Sequence, residues 1–154
     1  MAYWLFKSEP DEYSLEDLKA EKNSIGRWDG IRNYQARNII RDHIKQGDGV
    51  LFYYSSCKNF GVAGTAEVVS APYPDPLQFD PESKYCDPKS PTNNPRWLCV
   101  DIQYRQTNKN FIPLKEIKQN EALSDMVLVK QGRLSIQPVS KDEWETIMML
   151  ANDG

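Results

Sequence analysis

Residues 28 to 38 read Trp28-Asp29-Gly30-Ile31-Arg32-Asn33-Tyr34-Gln35-Ala36-Arg37-Asn38. Two aromatics, two arginines, two asparagines and a glutamine crowd around a turn that opens a helix. A structural segment of this length normally carries more aliphatic side chains. Planar rings beside planar hydrogen-bonding groups suit a flat polar ligand, and a nucleobase is such a ligand. Trp28 reads as a core tryptophan, as most tryptophans are, or as the wall of a cleft, which the polar turn Asp29-Gly30 favours. Asn33 is a favoured N-cap, and helix N-termini also present free N–H groups to polar ligands. Arg32, Arg37 and Arg41 read as a solvated helix face or as phosphate clamps.

Three further clusters carry polar groups to places where a pocket could form. Lys7-Ser8-Glu9-Pro10 closes a first strand, where ordinary turn chemistry is the competing explanation. Tyr54-Ser55-Ser56 closes a second strand in the same manner. Its small hydroxyls suit hydrogen bonds to a base edge. Arg133 and Ser135 alternate along a late strand and share a face, so both reach one site.

Catalytic and metal chemistry find little support. His43 is the only histidine and sits on a helix beside Ile44, where a structural role is expected. Cys57, Cys86 and Cys99 are widely spaced and odd in number, which fits reduced thiols rather than a zinc site. The carboxylates Glu9, Asp11, Asp29 and Asp48 lie in no recognisable catalytic pattern. No metal and no cofactor is expected.

The chain has 154 residues, 40% hydrophobic and 27% charged, which suits one soluble domain spanning 1–154. Its first residues are acidic and its longest apolar run, Val50 to Tyr54, is short, so neither a signal peptide nor a membrane span is expected. The expected compartment is the cytoplasm, or the nucleus in a eukaryote. A formal charge of −3 argues against sequence-blind coating of nucleic acid. Yet Arg27, Arg32, Arg37, Arg41 and Lys45 face only Asp29 and Asp42 between positions 27 and 45. A local basic patch on an acidic chain suits a selective reader.

Periodicity supplies the elements that must hold these groups. Strands are expected at Tyr3–Lys7, Val50–Tyr54, Val62–Val69, Trp97–Tyr104 and Arg133–Gln137. Helices are expected after the caps Ser14 and Ser140, and from Asn33 to Ile44, where Ala36, Ile40 and Ile44 form an apolar stripe. Asn23 to Gly26 reads as a turn, and Gly61 and Gly64 mark a bulge or close backbone approach. Seven of the ten prolines fall between Ala71 and Pro95, a long irregular loop or lid. Strands and helices out of strict alternation predict a small α+β fold around a curved sheet or barrel. No glycine-rich phosphate fingerprint supports a Rossmann or P-loop reading.

The motifs Tyr3-Trp4-Leu5-Phe6-Lys7-Ser8-Glu9-Pro10-Asp11, Trp28 to Asn38, Gly47-Asp48, Phe52-Tyr53-Tyr54-Ser55 and Arg133-Leu134-Ser135-Ile136-Gln137-Pro138-Val139 resemble, in order, those of the EVE domain family. The match runs over essentially the whole chain. The familiar pattern has His where Tyr54 stands and often Val where Ile31 stands. The first change alters hydrogen-bonding groups near the pocket, and the second is conservative. The resemblance implies a PUA-like fold, a β-barrel-like sheet with peripheral helices, akin to YTH and ASCH domains. It also implies a pocket for modified bases, including modified cytosines in DNA. On that basis Trp28 stacks on the base, Asn33 and Ser55 read its edge, Lys7 and Ser8 line the wall, and Arg133 reaches a phosphate. Arg32 completes the expected ligand-binding set.

The leading expectation is therefore a non-enzymatic module that binds modified nucleic acid, DNA or RNA, through a flipped or single-stranded base. The alternatives are an enzyme of the related ASCH type, using Lys7 with a carboxylate such as Glu9, and a reader of modified RNA.

Overall fold

The computed structural model describes residues 1–153. Among them, seven strands run as β1 (Tyr3–Ser8), β2 (Ile25–Trp28), β3 (Gly49–Tyr54), β4 (Gly61–Val68), β5 (Tyr73–Pro74), β6 (Leu98–Pro113) and β7 (Ile136–Val139). Five α-helices accompany them: α1 (Leu15–Ala20), α2 (Tyr34–Asp42), α3 (Leu114–Gln119), α4 (Val127–Lys130) and α5 (Lys141–Asn152). The main sheet has the order β2-β6-β4-β3-β1-β7, with β5 pairing beside β6. β1 and β3 are parallel neighbours, and the other pairs are antiparallel. The edge strands β2 and β7 do not pair with each other, so the expected curved α+β sheet is open rather than a closed barrel.

Period-two alternation explains why the central strands read as continuous apolar runs. Trp4 and Phe6 of β1, with Val50 and Phe52 of β3, bury on one face against α1 and α2. Leu5, Leu51 and Tyr53 bury on the other, against Ile117, Leu128 and Ile147 of α3, α4 and α5. The stripe Ala36, Ile40 and Ile44 is buried as its spacing predicts, although α2 ends at Asp42 with exposed His43 as its C-cap. Ser14 and Ser140 each form a reciprocal capping box, with Asp17 and Glu143 respectively. A second anchor is Asp48, 3% exposed, whose carboxylate accepts from Trp4 Nε1 at 2.8 Å, Ala2 N at 3.0 Å and Lys45 N at 2.9 Å.

Trp28 belongs to the first core. It is 7% exposed, with ring centroids of Phe6 at 5.3 Å, Phe52 at 5.4 Å and Tyr13 at 6.4 Å. The register shifts at Phe52/Tyr53, Val62/Gly64 and Thr65/Ala66, which bends the sheet. Gly64 permits one of these bulges, because a Cβ there would collide with the Gln106 carbonyl oxygen and the Leu15 side chain.

Three stretches differ from the sequence reading. The expected turn at Asn23–Gly26 holds a 3-10 turn at Lys22–Ser24, with Asn23 and Ser24 at φ of 57° and 56°, and then continues as β2. That short strand lacks an apolar run, so pairing with β6, rather than its own pattern, creates it. β6 runs on to Pro113 instead of stopping near Tyr104, its outer half concealed by exposed polar residues. In the late strand only Ile136 onward joins the ladder, and Arg133 precedes it in exposed backbone.

The proline-rich excursion is tied down by buried polar groups. Asp75 is fully buried, and its carboxylate accepts from Gly30 N at 2.8 Å, Leu77 N at 2.8 Å and Arg32 Nη1 at 3.0 Å. Gln78, also fully buried, donates to Asp75 O at 2.7 Å and Trp97 O at 2.9 Å while accepting from Ser90 and from Trp97 N. Gly30 adopts φ of 78°, and a Cβ there would approach the Tyr85 ring to 3.0 Å. Loop and turn are thus docked ring on backbone.

Two stability tests arise from these contacts. Gly64→Ala should lower the unfolding free energy by about 1–3 kcal/mol or more in urea denaturation, since the new methyl meets backbone. Asp75→Ala strands the Arg32 charge and two backbone amides, and should cost about 3–5 kcal/mol. Amide exchange at Gly30 should accelerate in the same variant; unchanged exchange would contradict the docking account.

Candidate nucleic-acid interface

Because β1 and β3 are parallel, their C-terminal ends emerge side by side, linked by Ser55 N donating to Ser8 O at 2.9 Å. A cleft of about 1310 Å³ opens there, where an open α/β sheet commonly receives a ligand. Lys7, Ser8, Ser55 and Ser56 come from the strand ends. Trp28 and Gly30 from the end of β2, Leu128 and Val129 of α4, Arg133 and Ser135 before β7, and Tyr85 from the docked loop complete the lining. Five residues singled out in the sequence therefore meet in one cavity: Lys7, Ser8, Trp28, Ser55 and Arg133.

Each has a definite setting. The Lys7 ammonium donates to the Gly132 carbonyl oxygen and lies 5.6 Å from the Tyr53 ring centroid. Burial pushes its pKa below the usual lysine value. Ser8 Oγ donates to Tyr13 O at 2.6 Å, leaving its lone pairs free to accept. Ser56, beside Ser55, holds a left-handed φ of 52°, a strained backbone of the kind that gathers at functional clefts. Arg133 is exposed, and among the described residues no carboxylate pairs with it. Both Arg133 and Ser135 line the cavity, although they lie in the turn before β7 rather than on one face of a strand.

Trp28 satisfies both readings of the sequence at once. It lines the cleft, yet Phe6, Phe52 and Tyr13 cover most of its ring, so it presents a narrow apolar strip rather than an open stacking face.

Arg32 and Asn33 stand outside the cleft. The Arg32 guanidinium is occupied by Asp75, by Ile31 O, and by Tyr85 O at 3.0 and 2.7 Å from Nε and Nη2. It lies 5.5 Å from the Tyr85 ring centroid and 5.4 Å from that of Trp97. Its role here is to hold Tyr85 at the rim. Asn33 is the N-cap of α2, its Oδ1 accepting from Ala36 N at 3.0 Å, and it faces a neighbouring polar depression shared with Arg133. Arg37 and Arg41 are likewise engaged, Arg37 with Asn38 and Arg96 O, Arg41 with Asp42.

The sequence reading missed Tyr13, Tyr53, Lys84, Tyr85 and Lys118, all of which line the cleft. Burial raises the Tyr53 phenol to about 12 and, with Glu21 nearby, pushes Tyr13 up as well, so both remain protonated donors at neutral pH. Lys84 pairs with Glu12 at 2.7 Å, and its hydrogen bond holds that carboxyl below the usual range. Arg27 pairs with Asp29 at 2.7 Å. Lys118, like Arg133, has no carboxylate partner among the described residues. The arrangement offers an apolar wall, tyrosine and serine groups, and free cations: a site for a planar polar ligand with an attached anion. His43 lies outside it, and no cluster of metal-binding side chains occurs among the described residues.

Comparison with known proteins agrees on one lineage. The EVE domain family model matches residues 2–150. Thymocyte nuclear protein 1 of Danio rerio is 41% identical, over 97% of this chain and 72% of that protein. The crystal structure of the human THYN1 protein in complex with DNA containing 5-methylcytosine superposes with a TM-score of 0.95 at 39% identity, covering 100% of this chain and 99% of that one. A YTH domain from Zygosaccharomyces rouxii, in complex with N6-methyladenosine RNA, matches at TM-score 0.56 and 11% identity, covering 99% of this chain and 87% of that one. That likeness is one of fold, in keeping with the PUA-like architecture. The chain belongs to the EVE domain family.

Proposed function

We propose that this protein is a nucleic-acid-binding module that takes a modified base, such as a modified cytosine in DNA, into the cleft at the ends of β1 and β3. The observation that carries the reading is the convergence of Lys7, Ser8, Trp28, Ser55 and Arg133 on one cavity. The overlap with a human protein crystallised on 5-methylcytosine DNA supports it. The base enters against the Trp28 strip and the Tyr85 ring. Ser8, Ser55 and the tyrosine hydroxyls meet its polar edge, and Arg133 and Lys118 meet the flanking phosphates. Extruding a base costs a few kcal/mol, and aromatic contact offsets part of that. Residues 1–154 act as one domain in this reading, in a compartment that holds nucleic acid: cytoplasm, or nucleus in a eukaryote.

One observation favours a second reading, a nucleoside-processing enzyme of the ASCH type. Burial lowers the Lys7 pKa, as amine chemistry would require. Against it, the Lys7 ammonium is committed to Gly132 O, with no hydrogen bond to Glu9. Incubation with modified nucleosides followed by chromatography separates the two, and an unchanged nucleoside is the expected result. An RNA reader differs by dependence on the 2′-hydroxyl, so matched DNA and RNA probes decide between the nucleic acids.

The site is tested with variants that spare the core. Tyr85→Ala should weaken binding of a 5-methylcytosine oligonucleotide about tenfold, following the loss of one stacking contact. Arg133→Ala should weaken modified and unmodified probes alike and reduce the salt slope by about 0.7–0.9, with stability unchanged within about 0.5 kcal/mol. Trp28→Ala tests the fold instead, since emptying that site should cost about 3–5 kcal/mol. Wild-type affinity in Tyr85→Ala, measured by fluorescence anisotropy, would remove the cleft from the account.

A further inference from the structure

Beside the cleft lies an apolar groove that the proposed base site does not use. It has a volume of about 950 Å³ and is walled by Tyr54, Phe60, Phe111 and Leu114. Phe60 is 44% and Phe111 38% exposed, and the Tyr54 and Phe111 rings stack at 6.4 Å with an interplanar angle of 28°. Single exposed apolar residues need no explanation, but adjoining aromatic rings in one groove do. The fold brings them together through a fixed contact: Leu114 N donates to Phe60 O at 3.1 Å, and Gly61 pairs with Pro113.

Two features identify what the groove accepts. The first is continuity: Phe60 and Leu114 line both the groove and the cleft, so a chain leaving one enters the other. The second is charge. The only charged residues lining the groove are Lys58 and Lys115, and among the described residues neither is paired with a carboxylate. Lys115 and Lys118 lie three apart on α3 and share a face, which runs a row of ammonium groups from groove to cleft. Aromatic rings flanked by unpaired cations suit a single nucleic-acid strand, whose bases stack and whose phosphates need neutralising.

We propose that this groove is a second nucleotide subsite, in which a base next to the captured one stacks on Phe60 and Phe111 while Lys58 and Lys115 hold its phosphates. The inference rests on the base-capture reading of the cleft and deepens it. The module then binds a short single-stranded run rather than one extruded base alone. The Tyr54 position, where the familiar EVE pattern has His, falls in this second subsite and stacks under Phe111. Its hydroxyl accepts from Leu15 N at 2.9 Å, so the ring is fixed in place as a platform.

The test compares two probes on wild type and Phe111→Ala, a residue that lines the groove alone. One probe is the free nucleoside 5-methyl-2′-deoxycytidine, which fills only the cleft. The other is a single-stranded oligonucleotide carrying 5-methylcytosine with several nucleotides on each side. Phe111→Ala should bind the nucleoside as wild type does and the oligonucleotide about five- to tenfold more weakly, with Phe111→Trp restoring affinity. The double variant Lys58→Ala/Lys115→Ala should reduce the salt slope by about 1.4, two phosphates' worth on a single strand. Equal oligonucleotide affinity for wild type and Phe111→Ala overturns the second subsite and leaves the cleft reading standing. A wild-type protein that binds modified and unmodified oligonucleotides equally counts against the cleft reading, and one that binds neither overturns both. Self-association in sedimentation that Phe111→Ala abolishes, with oligonucleotide affinity unchanged, would assign the groove to a second copy; an aromatic peptide that binds there without competing with oligonucleotide would assign it to a protein. Either result overturns the proposal.

Discussion

A single buried carboxylate sets the shape of the binding face. Asp75 has no exposed surface, and it is held by the amide of Gly30, the amide of Leu77 and the guanidinium of Arg32. A carboxylate away from water persists only where well-placed donors replace the solvent, and here two amides and a guanidinium do so. Through it the proline-rich excursion is pinned to the turn between β2 and α2, 45 residues earlier in the chain for Gly30 and 43 for Arg32. Arg32 passes the constraint on to the Tyr85 carbonyl, and Gly30 leaves room for the Tyr85 ring. The rim of the cleft is a consequence of that one hub.

The rest of the cleft follows from strand geometry. Two parallel strands ending together bring Lys7, Ser8 and Ser55 to one cavity, while Phe6 and Phe52 stay in the core behind them. Trp28 joins the two worlds, its body packed into the core and one strip facing the cavity. Rigidity of this kind suits recognition, because a preformed site spends less conformational entropy on binding. The unpaired cations Lys118 and Arg133 supply attraction at the mouth without making the whole acidic surface sticky to nucleic acid.

Much of this was legible in the residues, for identifiable reasons. The capping boxes at Ser14 and Ser140, the Ala36, Ile40 and Ile44 stripe and the bulge at Gly64 are local signals, and each reports its own surroundings. The strand-end clusters at Lys7-Ser8 and Ser55 were recognisable because polar groups closing an apolar run must face something polar. Arg32 and Asn33 showed the limit of that logic. Their chemistry suited a ligand, but the Arg32 guanidinium is taken up by Asp75 and Tyr85, and Asn33 Oδ1 serves the helix cap that its residue type also indicated. Tyr85 and Lys84 carry no local signal at all, since a contact made through Asp75 more than forty residues away puts them at the cleft. The short strand β2 was hidden for the same reason, being made by its partner.

The proposed function requires this cleft to prefer a modified base to its unmodified parent. Anisotropy titrations of the wild-type protein against matched single-stranded oligonucleotides, identical but for a panel of modified cytosines, measure that preference at one stated salt concentration. A methyl group filling an apolar pocket is worth about tenfold or more, so at least one modified probe should bind that much more tightly than its unmodified twin. Equal affinities across the panel would contradict the claim.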